Sequence, residues 1–449
     1  MKQNQEMLEH APYRKLILTL SIPTVIIMLV MVIYNMADTF FIGQTEDPNK
    51  LAAVSLCAPV FSILSGIGTL LGSGGSTAIS LALGKKETDN IKAFSSVCFA
   101  GSMILGFVFM IPAFLFTPSI CRLLGADSDT LEFTVSYLRI IAIGAPAILF
   151  NNIFANIIRA DGAVVQSMVS TLIGTFLNIV LDAVFILVCG FGVTGAAAAT
   201  VIGNAAGCVY ILCYMLRKQP AFSLRLKDIR LKSDILVPLF TLGLPLACST
   251  LLMSFSNIFS NNLMVSYGNT ALAAQGVAGK IGMLISMTIM GICMGFGPAI
   301  SYNFGRGNMK RMYEIIRKTA VFTVAVGLLL SIICFFARSR ITAAFIDNDE
   351  VIRNARIFVL ASLIVGPFYG IYQLCQTFLQ STGKAGYAAL VSILEKGLVF
   401  VPALCLLNYF FGMYGIVFTG CASLAVSLAA AIFLSLRWNR QITASPVPR

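Results

Sequence analysis

The chain has 449 residues, of which 58% are hydrophobic and only 11% charged. A soluble domain carries roughly 25% charged residues, so the composition excludes a soluble globular protein. The formal net charge is +12, but the basic residues are scattered over many short loops rather than gathered in a patch, so no nucleic-acid partner is expected.

In chain order, apolar stretches of roughly the 20 residues needed to span a bilayer run near 16–41, 51–83, 93–116, 133–158, 163–189 and 193–216. They resume near 235–266, 271–303, 319–337, 354–381, 385–410 and 414–436. The second six repeat the first. Leu20–Pro23 (LSIP) returns as Leu242–Pro245 (LGLP), and Leu51–Ser55 (LAAVS) as Leu272–Gly276 (LAAQG). Ala78–Lys86 returns as Ala299–Gly307, Ile157–Gly162 as Phe378–Gly383, and Phe191–Ala196 as Phe411–Ile416, always at an offset of 220 to 222 residues. A repeat of this length sets the architecture before any other signal. The fold class expected is an all-α polytopic membrane protein: twelve transmembrane helices in two homologous six-helix bundles around a central cavity. The division expected is an N-terminal lobe over 1–216, a cytoplasmic linker over 217–234 and a C-terminal lobe over 235–449. The linker carries Arg217, Lys218, Arg225, Lys227, Arg230 and Lys232.

Lys and Arg concentrate on alternate loops. They precede the first stretch (Lys2, Arg14, Lys15), fill the linker, and recur between stretches eight and nine (Arg306, Lys310, Arg311, Arg317, Lys318) and after the twelfth (Arg437, Arg440, Arg449). By the positive-inside rule both termini are expected in the cytoplasm and the chain in the cell's inner membrane. The first stretch is far longer than a signal-peptide core, so it reads as a span.

Several chemistries are disfavoured. The 12 cysteines sit singly in apolar stretches without a CxxC pair and read as small buried hydrophobes. The single histidine, His10, lies in the N-terminal tail, which argues against a histidine-based enzyme or metal site. No glycine loop ends in GK[ST], so ATP is not the expected energy source. No cofactor and no enzymatic activity are expected.

The chemistry must come from polar groups inside the spans, where each is costly and marks an ion or substrate path. The first half has two such acids, Asp38 and Asp182. At 1.5 Å per residue both fall within roughly 6–10 Å of the outer boundary. Asn178 lies four residues before Asp182 and shares its helix face. Thr200 and Tyr137 enter at a similar depth. Two carboxylates with amide and hydroxyl oxygens could ligate Na⁺ at Asp38, Asn178 and Asp182, or could share a proton. The repeat places Ser260 and about Pro402 where the first half has Asp38 and Asp182, so the ion site belongs to the first lobe alone. In the second lobe Lys280 and Glu395 are expected to form a charged pair, either a structural salt bridge or a substrate-contacting or second proton site. Tyr34, Asn35 and Asn152 are expected to line the cavity with Met253, Met287 and Met290, whose unbranched thioethers suit varied apolar cargo. Pro23 is expected to act as a hinge in helix 1.

These landmarks resemble the multidrug and toxic compound extrusion (MATE) family, within it the bacterial DinF-like or MepA-like branch. The resemblance rests on Pro23, the run Asp38–Leu56 (DTFFIG through LAAVSL), IIRADG, the Asn178–Asp182 pair, Gly192–Thr200 (GVTGAAAAT) and their repetition, and it covers nearly the whole chain. It implies a monomeric secondary antiporter in the lipid bilayer that exports amphipathic, cationic small molecules against inward H⁺ or Na⁺. The matching ion-site positions are Tyr137, Asn178, Asp182, Thr200 and Asp38. Where several family members carry a glutamate in helix 8, this chain has Met294, which shifts the weight of coupling to the first lobe. The alternatives weighed are a lipid-linked oligosaccharide flippase, which would more often have extra spans and a strongly cationic cavity, and an intramembrane enzyme.

Overall fold

The computed structural model describes residues 2–43, 48–218, 222–345 and 349–444. Among them twelve helices are long and apolar enough to cross a membrane. They are α1 (Tyr13–Tyr34), α2 (Ala58–Lys85), α3 (Thr88–Leu115), α4 (Leu131–Ala160), α5 (Val164–Val188) and α6 (Gly192–Arg217), then α7 (Ser233–Val265), α8 (Thr270–Gly305), α9 (Met309–Thr342), α10 (Glu350–Ser381), α11 (Ala385–Phe411) and α12 (Met413–Thr443). No strand occurs among the described residues. The chain is an all-α multi-pass membrane protein, since only helices or closed barrels satisfy every backbone group in lipid.

By packing, the chain forms two units: Met1–Met7 with Leu29–Gly243, and Leu8–Met28 with Leu244–Arg449. Each is organised around its fourth helix. In the first unit α4 packs against α2, α3 and α6, and Leu138, Ile141, Leu149, Ile153, Phe154 and Ile157 on it are buried. In the second, α10 packs against α8, α9 and α12. Both fourth helices carry an interior proline, Pro146 and Pro367, 221 residues apart. A proline removes a ladder hydrogen bond and bends its helix, and in each half a glycine of the third helix receives the bend. A Cβ on Gly106 would come 2.6 Å from the Pro146 Cα, and one on Gly327 would come 3.1 Å from the Pro367 Cα.

Several breaks depart from plain α-helix. The expected stretch 51–83 is two helices, Pro48–Leu56 and Ala58–Lys85, with Pro59 in the first turn of the second. Helix α1 winds as a π-helical turn over Ile17–Ser21 before becoming α-helical from Ile22 to Gly43. Pro23, just beyond, cannot donate to the ladder, and the Thr24 hydroxyl bonds the Leu20 carbonyl at 2.7 Å. The fifth helix of each half also changes register, over Ala183–Val188 directly after Asp182 and over Leu394–Leu398, which holds Glu395 and Lys396.

The first residues are more than a tail. Lys2–His10 is helical. Leu8 is fully buried, its carbonyl accepts from Asn303 Nδ2 at 3.0 Å, and Glu9 pairs with Arg306 at 2.8 Å. His10 faces Glu9 at 3.5 Å. The cysteines are all free, but Cys189, Cys213 and Cys405 are exposed rather than buried.

Candidate functional site

Within the first unit, α1, α5 and α6 bring three of the expected groups together around Asp182. Asp182 is fully buried and Asn178 is 2% exposed. The Asn178 amide is oriented by its neighbours: its nitrogen donates to Asp182 Oδ2 at 3.1 Å and its oxygen accepts the Thr200 backbone N–H at 3.0 Å. The hydroxyls of Thr200 and Tyr34 lie 3.4 Å apart. One helical turn separates Asn178 from Asp182, which is why both reach the same point. Tyr137 is buried on α4 with its ring tilted against Phe61 at 6.1 Å. Asn152, also on α4, fits against α2 where a Cβ on Gly68 would come 3.1 Å from its Cβ. The side chains of Asn35 and Asp38 lie outside the described residues.

The polar layer extends further along α6 than the sequence reading gave it. Asn204 Nδ2 donates to the Thr200 carbonyl at 2.9 Å and Asn204 Oδ1 accepts from Asn151 Nδ2 at 3.2 Å. Ser170 Oγ reaches Asn151 Oδ1 at 3.3 Å and the Gly207 carbonyl at 3.1 Å. Asn151, Ser170 and Asn204 were missed. The signal was present, because Thr200 and Asn204 stand four apart in an otherwise apolar span, a spacing that puts both on one face.

The second unit holds a cavity of about 420 Å³ between α7, α8, α10, α11 and α12. Met253, Met287 and Met290 line it, together with Tyr369, Gln373, Glu395 and Lys396. The charged pair is drawn differently from expectation. Glu395 Oε1 meets Lys396 Nζ at 2.6 Å, while Lys280 is an exposed residue on α8. Adjacent residues on an α-helix diverge by about 100°. The π-helical turn at Leu394–Leu398 is the local change of register in which these two meet.

Two units of apolar helices, one with a buried acid–amide network and the other with a cavity lined by methionines and a Glu–Lys pair, define a membrane transporter. The comparisons agree. The MatE family model matches residues 23–184 and again 245–406, once in each half. The chain is 33% identical over 418 residues to a "Multidrug export protein MepA" of Staphylococcus saprophyticus, covering 92% of this chain and 91% of that one. It is 32% identical over 430 residues to the protein of the same name from Staphylococcus aureus strain MRSA252, covering 95% and 94%. Among solved structures, a MATE in complex with MaL6 aligns over 99% of both chains with a TM-score of 0.91 at 24% identity. A MATE in the bent conformation aligns over 98% of both with a TM-score of 0.87 at 26% identity. The chain belongs to the MatE family.

Proposed function

We propose that the chain is a secondary antiporter that exports amphipathic, cationic drugs or other toxic compounds in exchange for inward H⁺ or Na⁺. The observation that carries this reading is the fully buried carboxylate of Asp182, held by the Asn178 amide within a span. A carboxylate in a low-dielectric interior is costly to keep charged, and a proton or a small cation relieves that cost. Binding and release of that ion at Asp182, Asn178 and Thr200, with Asp38 from α1 and Tyr137 from α4, is the coupling step. The curated relatives are named multidrug export proteins, which supports drugs as cargo. The loop charges support cytoplasmic termini in the inner membrane.

In this reading the gain or loss of the ion acts through α1. The π-helical turn and Pro23 leave a weak point in its ladder, so neutralising Asp38 would let the helix bend and release cargo held near Tyr34, Asn35 and Asn152. The transmembrane ion gradient drives the step, since one charge crossing the membrane potential yields about 2.3 kcal/mol per 100 mV. The experiment is efflux of a fluorescent organic cation from vesicles, with pH and Na⁺ gradients imposed separately. Export driven by neither gradient would end the antiport reading.

A further inference from the structure

The residue 221 positions beyond Gly174 is Glu395, so the same place on the fifth helix is a glycine in one half and a glutamate in the other. In the first half Gly174 lets α5 and α6 touch backbone to backbone. In the second half the side chain at that place, with its neighbour Lys396, lines an open cavity instead. Two further lining glycines, Gly279 and Gly420, are not there for close packing, because a Cβ added to either would meet no atom within 4 Å.

The charged turn is fixed from two sides. The Ser423 hydroxyl donates to the Glu395 carbonyl at 2.6 Å, and the Ser256 hydroxyl donates to the Lys396 carbonyl. Glu395 is the inner member of the pair, its side chain 8% exposed, and its Oε1 takes the Lys396 ammonium at 2.6 Å. Lys396 is the reachable member, 23% exposed, with one of three ammonium N–H groups engaged by Glu395. Tyr369 and Gln373, which carry O–H and amide N–H donors, also line the cavity, and Met253, Met287 and Met290 add apolar lining. A cation entering here would meet the more buried acid, whose charge the adjacent ammonium already offsets. An anion would meet a free share of the ammonium and further donors beside it.

We propose that the second-lobe cavity binds an amphipathic organic anion, a carboxylate on an apolar body, with Lys396 holding the anion and Glu395 as the counter-ion its entry displaces. The site goes beyond cation export and needs no coupling through Asp182, so the two readings fail separately.

The test is equilibrium binding of radiolabelled 2-naphthoate to the protein in phosphatidylcholine nanodiscs, with 2-naphthylmethylammonium as a competitor of the same shape and opposite charge. The expected result is saturable naphthoate binding that the cation does not displace. Lys396→Gln weakens it about tenfold or more and Lys396→Arg retains it. Glu395→Gln, which frees the ammonium, tightens it, and Gly420→Leu, which fills the cavity, abolishes it. Variants are compared when their thermal melts match the parent. If Lys396→Gln does not fold, Glu395→Gln and Gly420→Leu decide. Displacement of naphthoate by phosphatidylglycerol in the disc assigns the natural anion to a lipid headgroup, and its persistence assigns a soluble carboxylate. Binding unchanged in both Lys396→Gln and Gly420→Leu, or preference for the cation, overturns the proposal.

Discussion

Gly174 and Gly203 meet backbone to backbone: a Cβ on Gly203 would stand 2.5 Å from the Gly174 carbonyl oxygen, and one on Gly174 would stand 2.9 Å from the Gly203 carbonyl oxygen. Helices in lipid gain little from apolar burial against each other, so such close approach by small residues is a main source of their association. This contact holds α5 and α6 in the register that lets Asn178 face Thr200.

Gly203→Val should therefore destabilise the protein by about 1–3 kcal/mol through forced separation of the two helices. Gly279→Ala, which opens onto empty space, should be close to neutral. Thermal melts in detergent, read by the emission of Trp438, check both. Trp438 is the sole tryptophan, and its Nε1 donates to Thr382 Oγ1 at 2.9 Å. Equal melting temperatures for the two variants would contradict the packing argument.

Asn178→Ala removes an amide donor from a buried carboxylate, a bond of the charge-assisted kind worth about 1.5–3 kcal/mol. Gradient-driven export should fall by about tenfold or more, and Asn178→Asp should not restore it, since a second acid cannot donate to Asp182 when ionised. Initial efflux rates at fixed gradient decide. Full activity in Asn178→Ala would show that the amide is only packing.

Asp161, in the short loop between α4 and α5, gives a pH signature independent of transport. It is 3% exposed, and its Oδ1 has no hydrogen-bond partner among the described residues. Burial pushes its carboxyl up to about 6 from the usual 3.8. The folded state then holds a proton that the unfolded state has released between about pH 4 and 6. Stability should fall as pH rises through that window and level off above it, by on the order of 2–3 kcal/mol in all. Asp161→Asn should flatten this slope and raise stability at pH 7. Melting curves from pH 4 to 8 on both proteins measure it, and a parallel slope in the variant would remove Asp161 as its cause.

Pro23→Ala restores an N–H where the ladder lacks one, and should favour regular α-helix in place of the π-helical turn at Ile17–Ser21. Spin labels on either side of the turn should report a narrower distance distribution and less change between pH 5 and pH 8 than in the parent. Unaltered pH-dependent distances in the variant would assign the motion to whole lobes instead.

The twelve spans, the internal repeat and the Asn178–Asp182 pair could be read from the sequence because each rests on local spacing: apolar length, a constant offset, and one helical turn. What was not legible depends on deviations from regular helix. Glu395 was matched with Lys280 because adjacent residues on an α-helix point apart, and apolar periodicity gave no sign of the π-helical turn in which Lys396 reaches it. Asn151 and Ser170 were missed because each is an uncharged residue among several polar residues of its helix, and only packing shows that Asn151 reaches Asn204 and that Ser170 reaches Asn151 and the Gly207 carbonyl. The docking of Leu8 and Glu9 against α8 was hidden for the same reason, since their partners Asn303 and Arg306 lie almost 300 residues away.

The most direct test of the account is Asp182→Asn, which keeps the shape of the side chain and removes its charge. In vesicles with the parent's orientation and amount of protein, the account predicts that this variant no longer exports an organic cation against its gradient when a pH or Na⁺ gradient is imposed. It should still melt near the parent temperature and still bind the cation. Export at the parent rate under either gradient would contradict the central claim that the buried acid of the first lobe couples transport to the ion.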